Sequence, residues 1–319
     1  MVKQEKMSLA TYDDVFHTML IDCRHLIIPV VNEVFHTHYI GNEKIILKEN
    51  EIYIKFALGE EKRITDASFE IRGIITEETR YYHLECQSVP DRSMLIRMYE
   101  YDSQIALKNS LMNDGILEVN FPNSAIIYLR HSKNTPEKFK LRIHTPEGSV
   151  SYKIPTLRIR NYNIEEIFYK KLYFLIPFYI FCYENKFKNI NNNEEQLKKL
   201  MDEYYEIKNR LEKLCLEEKL DTFTKSVICT MTENVINRIA KKYKNIREGV
   251  TEVMGGKVLD YEAKRILNRG KELGKELGIK EGFAQGAKAL LSLVEDGILT
   301  MSEAAKRADM TEEELAKYL

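Results

Sequence analysis

The order of apolar patterns along this 319-residue chain predicts an α/β fold: helix, three-strand meander, helix and strand, followed by an all-helical C-terminal region. Three observations carry that expectation. The chain opens on an apolar stripe at helical spacing. Runs that alternate apolar and polar residues at period two follow it. Beyond about residue 164 the strand patterns give way to long, charged, amphipathic stretches.

The opening stripe covers residues 12–38, with Phe16, Met19, Leu20, Leu26, Ile27, Val30, Val31, Val34 and Phe35 on helical spacing. Pro29 starts or kinks its second half. Strands are expected at Glu51–Leu58, Arg63–Arg72 and Tyr81–Ser88, joined by turns containing Gly59-Glu60-Glu61 and Gly73 through Thr79. Asp91–Leu107 lacks an internal breaker and reads as a helix, with Asp91 or Ser93 as its cap. Ser124–Leu129 reads as a short buried strand. Lys138–His144 and Ser149–Ile159 read as a strand pair around the turn Pro146-Glu147-Gly148.

A boundary near residue 162 divides the chain into an N-terminal α/β domain (10–162), a helical region (163–268) and a glycine-spaced tail (269–319). In the tail, Gly270, Gly274, Gly278, Gly282 and Gly286 lie on one four-residue ridge. Each costs about 1 kcal/mol relative to alanine inside a helix. Such a ridge either admits a second helix closely, which would make a homo-oligomer through the C-terminal helices, or forms a flexible helical linker. Thr300 or Ser302, and then Thr311, are cap candidates for two short final helices.

Composition narrows the function classes. Apolar residues make up 44% and charged residues 30%, as in ordinary soluble domains. A formal net charge of -1 provides no global positive field for nucleic acid, although a local patch can be masked by acidic helices elsewhere. Five scattered cysteines, without a CxxC pair, suit reduced thiols in a cytoplasmic protein. The first fourteen residues turn acidic before any apolar run, unlike a signal peptide. Leu172–Tyr183 is strongly apolar but too short to span a bilayer, so a buried helix is expected and no membrane partner.

Chemistry concentrates in the segment Tyr82-His83-Leu84-Glu85-Cys86-Gln87-Ser88. Alternate residues of a strand share a face, so Glu85 and Gln87 point one way, Leu84 and Cys86 the other. Asp66, on the preceding strand pattern, can lie beside Glu85 if the two strands form a hairpin. Adjacent carboxylates repel unless a cation sits between them. A hard divalent ion such as Mg²⁺ takes carboxylate, carbonyl and water oxygens. Asp66, Glu85 and the main-chain carbonyl of Cys86 supply such a set, and Gln87 is placed to position a water.

Asp66 on one strand, Glu85-x-Gln87 on the next and a helix immediately afterwards resemble the core of the PD-(D/E)XK nucleases. The resemblance is greatest to the recombination-promoting nuclease and transposase-associated family. It extends to Asp13-x-x-Phe16 on the first helix, Ile64-Thr65-Asp66, Leu84-Glu85-Cys86-Gln87, Arg97-x-x-x-Tyr101 and the ending GILTMSEAAKRADMTEEEL. It covers most of residues 12–131 and the last fifty or so. Thr65 stands where the motif has proline, and Gln87 where it has lysine. The resemblance implies a Mg²⁺-dependent DNA endonuclease, with Mn²⁺ able to substitute, linked to recombination or mobile elements. Asp66, Glu85 and Gln87 would be its catalytic residues, and Asp66, Glu85 and the Cys86 carbonyl its metal ligands. Glutamine orients water without supplying positive charge, so a catalytically weak or inactive DNA-binding or assembly protein is the alternative.

Other residues have two readings. Arg97 meets a substrate phosphate bidentately or pairs with Glu100 or Asp102; Tyr101 joins it at the substrate or packs half-buried. Glu33 is an accessory carboxylate or a surface residue, and Asp13 caps its helix or faces substrate. His36-x-His38 lacks the i, i+4 spacing of helical metal ligands, while His83 shares a face with Glu85. Arg63, Arg72, Arg80, Arg158, Arg160 and Lys241–Arg247 are candidate phosphate contacts or solvated charges.

Overall fold

The computed structural model describes residues 12–48, 51–56, 59–73, 78–88, 91 and 93–255, together with 291, 294, 300–308, 311 and 315. The chain divides into two compact units, residues 1–257 and 258–319. The larger unit is mixed α/β, built on a six-stranded mixed sheet.

Helices α1 (Tyr12–Asp22) and α2 (Ile27–Phe35) occupy the expected opening stripe. Val15, Phe16, Met19, Leu20, Ile27, Val30 and Val31 are all buried, as the spacing requires. Strands β1 (Lys44–Leu47), β4 (Ala67–Arg72) and β5 (Thr79–Gln87) then form an antiparallel series, with Ile45 opposite Ile71 and Phe69 opposite Tyr82. Helix α3 (Met94–Lys108) crosses over to β8 (Asn123–Tyr128), which pairs parallel with β5 and places Glu85 opposite Ile126. A long hairpin of β9 (Lys138–Thr145) and β10 (Gly148–Arg158) completes the order β1-β4-β5-β8-β10-β9.

The meander differs from expectation in its first strand. Residues Glu51–Phe56 (β2) pair instead with Gly59–Ile64 (β3) in a separate two-stranded hairpin. The edge of the main sheet is Lys44–Leu47, whose four residues are too few to show a period in the sequence. The expected strand Arg63–Arg72 is accordingly broken at Thr65-Asp66, where the chain passes from the hairpin into β4. A further small hairpin, β6 (Leu111–Asn113) and β7 (Ile116–Glu118), lies between α3 and β8.

One face of the sheet packs against α1, α2 and the helices beyond residue 163. Its core includes Phe69, Tyr82, Leu84, Cys86, Ile127 and Leu157, continuous with Phe174, Phe178, Tyr204 and Ile228. Those helices are α4 (Ile164–Tyr169), α5 (Phe187–Asn191), α6 (Glu194–Leu216), α7 (Thr222–Ile239) and α8 (Lys244–Met254). Residues on either side of 162 therefore share one apolar core, and that position lies inside the first compact unit. Tyr173–Cys182 forms a 3₁₀-type segment buried from Tyr173 to Phe181, which explains its all-round apolar sequence. No helix among the described residues is long and apolar enough to cross a membrane.

The opposite face carries α3. Met94 and Met98 pack on Ile126, Tyr128 and Ile154 in a smaller apolar cluster. In the second unit, α9 (Met301–Ala308) begins with a capping box: Thr300 N donates to Glu303 Oε2 at 3.0 Å, and Glu303 N to Thr300 Oγ1 at 3.2 Å. The glycine ridge of residues 270–286 lies outside the described residues.

Candidate functional site

The site forms where β4 begins. Ala67 is the first residue of β4 to pair with β5, opposite Leu84, so Asp66 sits at the bend just outside the ladder. The bend leaves the N–H of Cys86 without a strand partner, and the Asp66 carboxylate takes it: Cys86 N donates to Asp66 Oδ2 at 2.6 Å. In return Asp66 N donates to Glu85 Oε1 at 3.3 Å. The expected neighbours are thus interlocked through backbone donors. Because the N–H and C=O of one strand residue point to the same edge, the Cys86 carbonyl also faces the Asp66 side of β5.

The faces of β5 divide as period two requires. Leu84 and Cys86 belong to the core shared with α1 and α2. His83, Glu85 and Gln87 point toward α3, in register with Ser124, Ile126 and Tyr128 of β8. Glu85 is fully buried and Gln87 nearly so. Burial pushes the Cys86 thiol well up, consistent with a packing residue rather than a nucleophile.

Glu85 is held from two further sides. His83 Nε2 lies 3.1 Å from its Oε1, and Arg97 Nη2 donates to Oε2 at 3.1 Å. Behind His83 stands Asp102, whose Oδ1 lies 2.7 Å from His83 Nδ1. Asp102 also accepts from Ser124 Oγ at 2.6 Å and Tyr152 OH at 3.3 Å. His83, Glu85 and Asp102 are each fully buried. Burial alone pushes the His83 imidazole down, but its hydrogen bonds to Asp102 and Glu85, with their charges, outweigh it and raise the group to about 9. The imidazole is therefore a cation at neutral pH, set between two carboxylates.

Asp66 is in the opposite situation. Burial and then the charge of Glu85 push its carboxyl well above the usual range, with the Cys86 N–H pulling the other way and Asp13 adding to the rise. Asp13, in the first turn of α1, is itself raised by burial, by Asp14 and by Glu85. Asp13 and Asp66 thus both feel the charge of Glu85, and Asp66 also that of Asp13. Asp13 lies in the first turn of α1, where an acidic side chain suits the helix N-terminus.

The structure separates the remaining candidates. Arg97 pairs with Glu85, and with Asp91 at 3.5 Å, rather than with Glu100 or Asp102. Tyr101 is only 3% exposed, lies under the Arg97 guanidinium and meets the His83 ring edge-on at 5.8 Å, so it packs the site and is not placed to meet a phosphate. Glu33 is taken by Tyr162 OH at 2.9 Å and Lys170 Nζ at 2.6 Å. It lines a cavity of about 530 Å³ that shares no residue with the Asp66 cluster. His36 ends α2 in a left-handed conformation at φ 55°. Several of the basic candidates are engaged: Arg72 with Glu70 at 2.7 Å, Arg80 with Glu78 at 2.9 Å and Arg158 with Glu137 at 3.0 Å. The Arg63 side chain lies outside the described residues.

Three participants were harder to see in the sequence. Asp102 occupies the buried stripe of α3 with Met94, Met98, Tyr101, Ile105 and Ala106, and an acidic residue on such a stripe was the available signal. His83 shares the face of Glu85. Arg130 donates from Nη1 to Ser88 O at 2.8 Å, tying down the end of β5, while Glu184 holds the rest of its guanidinium, with Nε at 2.8 Å and Nη2 at 2.7 Å.

The donor set suits a hard cation in type: two desolvated carboxylates whose repulsion raises Asp66, and a carbonyl at the same strand edge. Among the described residues no three His, Cys, Asp or Glu side chains converge as a ready metal cluster. Both oxygens of Glu85 already meet cationic partners. No family model, no curated protein and no solved structure matches this chain.

Proposed function

We propose that the chain is a metal-dependent phosphodiester hydrolase acting on DNA, an endonuclease of the PD-(D/E)XK kind, with a role in recombination or mobile elements. The observation that supports it best is the interlocked pair, Asp66 N to Glu85 Oε1 and Cys86 N to Asp66 Oδ2, at the break between β3 and β4. Ordinary strand pairing does not put two carboxylates in this desolvated position. It costs stability, as the raised Asp66 carboxyl indicates, and a site that binds cations is the natural reason for the cost.

Asp66, Glu85 and the Cys86 carbonyl would hold Mg²⁺ or Mn²⁺. Such an ion supplies charge that polarises the scissile phosphate and lowers the pKa of an attacking water. The chain's own residues set the geometry. Gln87, on the same face as Glu85, orients the water through its amide. Arg97, 29% exposed, releases Glu85 Oε2 and meets a phosphate oxygen instead. His83, backed by Asp102, keeps the other Glu85 oxygen fixed while Arg97 moves.

A second reading is supported by the same contacts. Arg97 and His83 already compensate Glu85, and Gln87 brings no positive charge. A catalytically weak or inactive protein that binds DNA and retains the fold would look the same. Plasmid nicking under a Mg²⁺ titration, run beside Asp66→Ala and Glu85→Ala, separates the two. The hydrolase requires metal-dependent nicking that both variants lose; equal nicking by all three proteins, or none by any, contradicts it.

A further inference from the structure

The cations of the β9–β10 hairpin all lie on one face. β10 pairs with β8 only over Thr156–Arg158, so Gly148–Pro155 continues with β9 as a two-stranded ribbon. Strand periodicity gives that ribbon two faces. Phe139, Leu141, Tyr152 and Ile154 form one, packed with Met94 and Met98 of α3. Lys138, Lys140, Arg142 and Lys153 belong to the other, with Ser149 and Ser151 beside them, and all six are exposed. The single acidic residue between positions 138 and 155 is Glu147, in the turn. Among the described residues none of the four cations has an ion-pair partner, and Arg142 Nε reaches only Ser151 Oγ, at 3.4 Å.

Lysines along an edge strand ordinarily guard it against pairing with another sheet. That accounts for β9 but not for Lys153. β10 lies between β8 and β9 in the sheet order, and Lys153 sits directly opposite Lys140 on the same face. Like charges directly opposite each other destabilise a strand pair, and an anion laid across this face would relieve them. We propose that the ribbon face is the surface on which the chain holds DNA, through the phosphates of a duplex. The inference rests on the reading of the chain as acting on DNA and adds the surface that binds it. From Lys138 to His144 the strand advances about 20 Å, at about 3.4 Å per residue. One strand of a duplex carries a phosphate every 3.4 Å or so of its axis, so that length faces about six of them. Lysine, arginine and serine side chains make phosphate contacts that position a protein without reading sequence. The formal net charge of -1 conceals such a patch, because acidic residues elsewhere offset it.

The test is fluorescence anisotropy of the full chain with a labelled duplex of about 20 base pairs, in EDTA, at about 50 to 200 mM salt. Wild type is compared with a ribbon variant, Lys140→Gln with Arg142→Gln and Lys153→Gln. A control variant, Lys241→Gln with Lys242→Gln and Lys244→Gln, removes the same charge from another exposed basic run. Each lost phosphate contact lowers the slope of log affinity against log salt by about 0.9, so the ribbon variant should lose about 2.7 and the control none. Circular dichroism should match throughout, and the ribbon variant should melt no lower than wild type, since the Lys140–Lys153 repulsion is gone. No duplex binding by wild type, a wild-type slope in the ribbon variant, or an equal loss in the control would overturn the proposal. So would ribbon-dependent binding to RNA or to anionic vesicles with none to the duplex. Ribbon-dependent duplex binding without nicking in Mg²⁺ would uphold this surface while the hydrolase reading fails. Nicking by a protein whose duplex affinity ignores the ribbon would do the reverse.

Discussion

Arg97 on α3 donates a hydrogen bond to Glu85 Oε2 at 3.1 Å, so the guanidinium sits on the carboxylate that a metal would have to share. Glu85 is fully buried and Arg97 partly exposed, which makes the pair asymmetric: the carboxylate depends on the arginine more than the reverse. Replacing Arg97 with Ala leaves His83 as the one side-chain partner of Glu85 among the described residues. The expected cost is about 1–3 kcal/mol in the metal-free protein. Chemical denaturation measures it, and Arg97→Ala combined with Glu85→Gln should recover part of the loss. If the two changes simply add, the contact carries no coupling.

His83 gives a pH dependence with a definite sign. Its folded value of about 9 lies above the ordinary histidine value, so the folded protein holds this proton more tightly than the unfolded chain. The stability it contributes is complete below about pH 6.5 and is lost as pH rises through 9. The full amplitude is about 3 kcal/mol for a shift of this size. Urea denaturation of metal-free protein between pH 6 and 10 should show the decline. His83→Gln should flatten it; an equal slope in that variant would remove His83 as its source.

Asp66 predicts a trade between stability and function. Burial and Glu85 both disfavour its charged form, while the Cys86 N–H needs only an acceptor. Asp66→Asn keeps an acceptor oxygen and removes the repulsion. Without metal, this variant should be more stable than wild type by about 1 kcal/mol, a rise of a few degrees in melting temperature. Added Mg²⁺ should stabilise wild type and leave the variant unmoved. Destabilisation of the metal-free variant would mean that the ionised Asp66 is structural.

The division of β5 into a core face and a chemical face was legible before the structure because strand periodicity is exact in its consequences. Leu84 and Cys86 went to the core, Glu85 and Gln87 to the α3 side. The proximity of Asp66 to Glu85 was legible too, since a short hairpin connection leaves few other registers. The bend at Asp66 was not, because Arg63–Arg72 keeps a strand-like composition across it. Lys44–Leu47 was not legible either, since four residues carry almost no pattern. The His83–Asp102 contact joins a strand to the helix after it, and its formation depends on how α3 is rotated on the sheet. The small hairpin β6–β7 could have been found from Asp114-Gly115 between two short apolar runs.

Magnesium-dependent nicking of plasmid DNA by wild type and Asp66→Asn, side by side, tests the central claim most directly. The variant is expected to be the more stable protein, so a loss of cleavage cannot be laid to unfolding. Nicking by wild type is expected to rise with Mg²⁺, with a loss on the order of 100-fold or more in the variant. Equal nicking by both proteins, or nicking indifferent to Mg²⁺, would contradict it.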